Sequence, residues 1–211
     1  VPGQIVVNEI LFNPAPNGED YVEIYNHSNQ VADLSRLFMG NRNSSGSVSS
    51  IKALSSVPFY LYPGEYLAFT ESPDQLPLYY MVLFPDRVLA ITSPPSFPDE
   101  EGTVLLLNGQ GVVIDEVKYN KDWHFKLISN DEGVALERLD PGRASGDPGN
   151  WHSAATTAGY GTPGYQNSQY RSADMGAGQI KVSPAVFSPD NDGRDDLALI
   201  QYSLEESGYV A

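Results

Sequence analysis

Short runs in which apolar and polar residues alternate follow one another along most of this chain, the spacing of extended strands rather than helices. The first run is residues 4–12, Gln-Ile-Val-Val-Asn-Glu-Ile-Leu-Phe, and it stops at Asn13-Pro14, where proline has no N–H to give a ladder. In residues 20–26, Val22 and Ile24 alternate with Tyr21, Glu23 and Tyr25, which predicts a strand with one buried face. Tyr62-Pro63-Gly64-Glu65 places proline and glycine at the centre of a type II turn, and a strand over 66–70 follows. Residues 88–92 read as another strand. Residues 103–107 and 112–119, joined by Asn108-Gly109-Gln110-Gly111, make the clearest hairpin, and 133–139 a further strand. Residues 40–50, nearly all Gly, Asn and Ser, predict a mobile loop within a longer irregular stretch reaching 56.

The rhythm breaks over 72–84. Ser72 can cap a helix with Pro73 at its first position, and Leu76, Tyr79, Tyr80 and Leu83 fall on one helical stripe, which predicts one short helix despite Pro77. Residues 140–178, rich in Gly, Pro, Ser and Thr, predict an irregular segment that wraps the domain, with Trp151 pinning it to the core.

Composition narrows the function classes. With 12 Lys and Arg against 27 Asp and Glu in 211 residues, the net charge is −15, which argues against a nucleic-acid partner and against docking on anionic lipid. The absence of cysteine excludes disulfides, thiolate catalysis and cysteine-based zinc sites. No apolar stretch is long enough to span a membrane as a helix. The chain opens at Val1 with no charged and apolar leader, as expected of a mature or trimmed product.

Several segments, in order, resemble the lamin tail domain, an immunoglobulin-like β-sandwich. They are Val7-Asn8-Glu9-Ile10 with Asn13-Pro14, Asp20-Tyr21-Val22-Glu23-Ile24-Tyr25-Asn26, Val31-Ala32-Asp33-Leu34-Ser35, and Leu61-Tyr62-Pro63-Gly64-Glu65-Tyr66-Leu67. The likeness continues through residues 109–117, Leu136-Glu137-Arg138, Asn150-Trp151 and Gly161-Thr162-Pro163-Gly164-Tyr165-Gln166-Asn167, and so spans roughly 4–168. Residues 186–196, Val-Phe-Ser-Pro-Asp-Asn-Asp-Gly-Arg-Asp-Asp, resemble the start of a second small β-sandwich found in exported proteins of Gram-negative bacteria. The expected organisation is a lamin-tail-like sandwich over 1–170, a linker over 171–178, and over 179–211 the N-terminal fragment of a second β module. The fold class is therefore all-β, an immunoglobulin-like sandwich with one short helical insertion and a truncated C-terminal β segment.

Candidate chemistry is sparse. Asp190, Asp192, Asp195 and Asp196 surround Gly193 and gather oxygens of the kind Ca²⁺ takes, although the loop lacks the closing glutamate of a twelve-residue EF-hand loop; the alternative is a solvated acidic turn. Asp99-Glu100-Glu101 reads as an exposed approach to a hairpin. Asp20 and Glu23 flank a strand, where paired carboxylates serve either glycosidase-type chemistry or structural hydrogen bonding. His27, His124 and His152 form no metal-ligand spacing, and the sequence has no nucleophile elbow. Trp123-His124-Phe125 and Phe59-Tyr60-Leu61-Tyr62 fit either exposed loops that bind protein or glycan, or ordinary core packing. Asn26-His27-Ser28 and Asn43-Ser44-Ser45 match the N-glycosylation sequon, incidental in a bacterial product.

The reading is a non-catalytic interaction or structural module of a secreted or cell-surface bacterial protein, used for adhesion, spacing or targeting of a partner domain. The resemblance implies that such domains are joined to nucleases or other hydrolases. A protein or glycan partner is expected, together with self-association through unpaired C-terminal strands. The alternatives are a carboxylate-dependent extracellular hydrolase and a calcium-stabilised interdomain joint. A calcium joint is tested by thermal melts with and without EDTA: a midpoint lowered by several degrees supports it, and an unchanged midpoint rejects it.

Overall fold

The computed structural model describes residues 3–171, 179–183 and 199–203. Its strands are β1 Ile5–Leu11, β2 Tyr21–Asn26, β3 Ala32–Asp33, β4 Leu37–Arg42, β5 Val48–Ala53, β6 Tyr60–Leu61 and β7 Tyr66–Thr70. They continue as β8 Val88–Ala90, β9 Glu101–Asn108, β10 Val113–Asn120, β11 Leu136–Arg138, β12 Trp151–Ser153, β13 Gln179–Ser183 and β14 Leu199–Ser203. By contacts the chain divides into two compact units, Val1–Arg171 and Ser172–Ala211. Of the second unit, β13 and β14 pair antiparallel, Gln179 opposite Ser203 and Ser183 opposite Leu199.

The first unit is an immunoglobulin-like sandwich. A six-stranded sheet in the order β12-β11-β1-β2-β7-β8 faces a four-stranded sheet in the order β10-β9-β4-β5. Between them lie Ile5, Val7, Ile10, Phe12, Val22, Ile24 and Phe69 from one sheet, and Met39, Val104, Leu106, Val117 and Tyr119 from the other. Trp151 is buried in this core. Burying this apolar surface is the dominant favourable term for such a sandwich.

The inward positions of β1 and the residue that follows it are 5, 7, 10 and 12, not an unbroken alternation. The β1–β2 register steps from Val7 opposite Ile24 to Glu9 opposite Glu23, so Asn8 is an extra residue. This bulge shifts the phase by one and puts Ile10 and Phe12 inside and Glu9 outside. A second bulge between Val113 and Asp115 does the same in β10, so that Ile114, Val117 and Tyr119 face the core.

Three expectations need correction. Residues 40–50 do not form a loop: β4 and β5 make a hairpin whose turn is organised by Asn43 Oδ1, which accepts from the backbone N–H groups of Ser45 and Ser47. The same Asn and Ser that read as loop residues are turn formers here. The insertion at 72–84 holds a six-residue 3-10 helix, Pro73–Leu78, rather than a helix carrying the stripe through Leu83. Pro77 inside it has no N–H to donate, and Leu83 is exposed. Finally, the outer side of β2 is largely covered: Tyr21 and Glu23 are as buried as Val22 and Ile24, and Tyr25 is half-buried. The outer face of the six-stranded sheet is roofed by Leu76 and Tyr80 after Ser72, packed on Leu11, Tyr21, Ala68 and Val88, and by residues 161–169.

One buried ion pair ties the two sheets. Asp115 Oδ2 on β10 accepts from the Val7 backbone N–H at 2.7 Å and from Arg138 Nη2 at 3.2 Å, while Ser145 Oγ donates to Asp115 Oδ1. Arg138 also donates to the Val7 carbonyl through Nε at 2.7 Å, and its guanidinium lies 4.9 Å from the Trp151 ring centre. Burial lowers the Arg138 pKa to about 10, with Asp115 acting in the opposite direction. Asp115→Ala is expected to destabilise the unit by about 3–5 kcal/mol, because it strands a buried cation and a backbone N–H. Urea unfolding with an unchanged denaturant slope checks this; a loss under 1 kcal/mol would contradict it.

Candidate functional site

The outer face of the six-stranded sheet carries three glutamates on three strands: Glu9 on β1, Glu23 on β2 and Glu137 on β11. Glu9 and Glu23 are direct partners across β1–β2, and Glu9 and Glu137 across β1–β11. All three are fully buried, because residues 161–169 lie across them.

That segment is shaped to present donors. Thr162, Pro163, Gly164 and Tyr165 form a tight turn in which the Tyr165 N–H donates to the Thr162 carbonyl at 3.2 Å and Gly164 takes φ +88°. A Cβ at Gly161 would lie 2.6 Å from the Tyr21 hydroxyl and 2.7 Å from the Tyr80 ring, so only glycine lets the chain approach this closely. The Thr162 N–H donates to Glu9 Oε1 at 2.9 Å, beside the Tyr21 hydroxyl at 2.8 Å. The Gly164 N–H donates to Glu23 Oε2 at 2.6 Å, and Asn8 Nδ2 to Glu23 Oε1 at 2.8 Å. Ser168 Oγ and the Gln169 N–H both donate to Glu137 Oε2, at 2.8 and 2.7 Å. Asn167 fills the gap where β1 and β11 part: its Nδ2 donates to the carbonyls of Asn8 and Arg138, and its Oδ1 accepts from Asn8.

Every one of these donors is neutral, and no described Lys, Arg or His forms an ion pair with the three carboxyls. Burial therefore dominates, and the neighbouring carboxyls add to it. Glu9 is pushed up to about 8, first by burial and then by Glu137. Burial, then Glu9, raises Glu23, and burial raises Glu137 against its hydrogen bonds. Such groups are closed to solvent and spend their oxygens on the covering segment. The arrangement is chemically a clasp rather than an acid–base pair facing a substrate.

The predicted candidates are scattered. Asp190, Asp192, Asp195 and Asp196 lie outside the described residues. Glu23 is in the sealed cluster, whereas Asp20 looks toward other acids: burial, then Asp99 and Glu19, lifts it to about 7. Asp99, Glu100 and Glu101 are exposed. His124 is buried, its Nδ1 is 2.9 Å from Ser153 Oγ, and burial lowers it to about 4; Ser153 is buried as well, so this pair has no open approach. Trp123 packs on the core against Trp151, while Phe125, Tyr60 and Tyr62 are exposed. Asn26 is wholly buried and donates to the carbonyls of Gln30 and Leu61, so the first sequon is inaccessible.

Sequence reasoning missed Glu9 and Glu137 as partners of Glu23. The available signal was a glutamate inside each of three strand segments, Asn8-Glu9-Ile10, Val22-Glu23-Ile24 and Leu136-Glu137-Arg138, with a Thr-Pro-Gly turn further on. An open cavity of about 470 Å³ lies elsewhere, at the end of the sandwich beside Gln4, Gln30, Arg36 and Gln110 above Ile5 and Ile114. Among the described residues, no cluster of His, Asp and Glu is arranged to hold a metal ion, and no helix is long and apolar enough to cross a membrane.

Asn167→Ala is expected to cost about 2–4 kcal/mol, since it leaves two buried carbonyls and the Asn8 amide without partners. Urea unfolding measures it, and a loss under 1 kcal/mol would mean that water replaces the side chain. No curated protein matches the chain at a significant level. The family model of the lamin tail domain matches residues 1–121, more than half of the chain, and the compact unit runs beyond that match to Arg171. The chain thus belongs to the lamin tail domain family, whose members are immunoglobulin-like domains without catalytic function.

Proposed function

We propose that the chain is a non-catalytic interaction module of a secreted or cell-surface multidomain bacterial protein, holding or targeting a partner domain. The observation that carries the reading is the fate of Glu9, Glu23 and Glu137: the carboxyls that converge are sealed and bonded to the protein's own closing segment. A fold that consumes its acids in this way keeps its surface for contact. Among the described residues that surface includes an apolar loop in which Leu78, Met81, Leu83 and Phe84 are between 42% and 71% exposed. The net charge of −15 keeps the rest of the module soluble and favours contact through this loop over adhesion to anionic lipid.

An exported reporter enzyme fused to the full chain tests this in Gram-negative cells. The expected outcome is a cell-associated reporter, with release to the medium increased at least five-fold by combined Leu78→Ser, Met81→Ser and Leu83→Ser. Complete release of the unsubstituted fusion would contradict the reading. So would turnover of ester, glycoside or phosphodiester substrates that Asp20→Asn or Glu23→Gln abolishes.

A further inference from the structure

Thr162 Oγ1 lies 3.0 Å from Glu9 Oε2 and 2.9 Å from Glu137 Oε1. A hydroxyl carries one proton and can donate it to only one of these oxygens. The other contact is a hydrogen bond only if the second carboxyl brings a proton of its own; otherwise two lone pairs face each other in a dry site. The remaining oxygens are already acceptors: Glu9 Oε1 receives Tyr21 and the Thr162 N–H, and Glu137 Oε2 receives Ser168 and the Gln169 N–H. The proton therefore belongs on the pair flanking the threonine hydroxyl.

We propose that Glu9, Thr162 and Glu137 form a one-proton chain, a carboxylic acid donating to a hydroxyl that donates to a carboxylate, and that loss of this proton in mild alkali frees residues 161–169 from the sheet. Glu9 is the natural holder of the proton, being sealed on all sides between the carboxyl groups of Glu23 and Glu137. The groups facing it are Glu23 and Tyr21 from β2, Glu137 from β11, Tyr80 beyond the 3-10 helix and Tyr165 from the closing segment. None of these supplies positive charge. Arg87, just before β8, reaches the closing segment but donates to the Gly164 carbonyl at 3.3 Å. Deprotonation would place a second negative charge against Thr162 Oγ1 with only one hydroxyl proton to share.

The sign follows from the direction of the shift. The folded pKa of Glu9, about 8, lies above its ordinary value of 4.5, so its stabilisation is complete below about pH 4.5 and is lost as pH rises through about 8. Asp20, lifted to about 7, and Glu23 and Glu137, also raised by burial, act in the same direction, while His124, lowered to about 4, has no further effect above about pH 7. A comparison that changes only Glu9 cancels the contributions of Asp20 and His124 and isolates the cluster to which Glu9 belongs. In Glu9→Gln, the carboxamide N–H₂ donates permanently where the proton sat.

Three measurements on the full chain decide the matter. Between pH 6.5 and 8 the unfolding equilibrium constant of the unsubstituted protein is expected to rise about ten-fold per pH unit relative to Glu9→Gln. Parallel profiles would overturn the proposal. Should Glu9→Gln fail to fold, carbon-13 NMR of glutamate carboxyls in the unsubstituted protein decides: a titration with a midpoint near 8 is expected, and completion of every glutamate titration below pH 6 would overturn the chain. Amide exchange at Thr162 and Gly164, corrected for its intrinsic pH dependence, reads the release. Protection is expected to fall at least ten-fold from pH 7 to 9, and constant protection would overturn the release.

Discussion

Three buried carboxyls with no cation among them are stable only because another part of the chain brings them hydrogen-bond donors. This constraint organises the outer half of the molecule. A buried charge without a partner is too costly to keep, so Glu9, Glu23 and Glu137 require residues 161–169, and those residues in turn have no core of their own to hold them. The sheet and its covering segment are therefore one folding unit. The family match ends at residue 121, but the donors that complete the sheet arrive some forty residues later.

The same constraint explains the local backbone. The bulge at Asn8 lets Glu9 point outward while Val7 and Ile10 both face the core. It also separates β1 from β11 at Asn8 and Arg138, and Asn167 fills the opening. On the opposite side of β11, Arg138 passes between the sheets to Asp115. Adjacent residues 137 and 138 thus serve the two faces of one strand, an acid for the roof and a base for the core.

Much of the sandwich was legible in the sequence because its strands are short, alternating and bounded by turn residues. The hairpin of β9 and β10 and the strand of β7 after Tyr62-Pro63-Gly64-Glu65 follow from local chemistry alone. What was not legible has a physical cause in each case. Residues 40–50 carry turn formers throughout, and the pairing of β4 with both β5 and β9 makes strands of them. Pro77, inside the helix after Ser72, goes with its short six-residue 3-10 form. The acid cluster was hidden because period-two alternation sends Glu23 and Glu137 to the solvent side, because Glu9 joins them only through the bulge at Asn8, and because nothing local shows that a distant turn covers them. The side chains that hold the cluster are legible only as a set, across separations of up to 159 residues.

The claim at the centre of this account is that residues 161–169 complete the sheet rather than decorate it. Urea unfolding of a chain ending at residue 160, set beside one ending at 171, tests it most directly. The account predicts that the shorter chain loses its cooperative transition or unfolds at far lower urea. Equal midpoints and equal slopes for the two chains would contradict it.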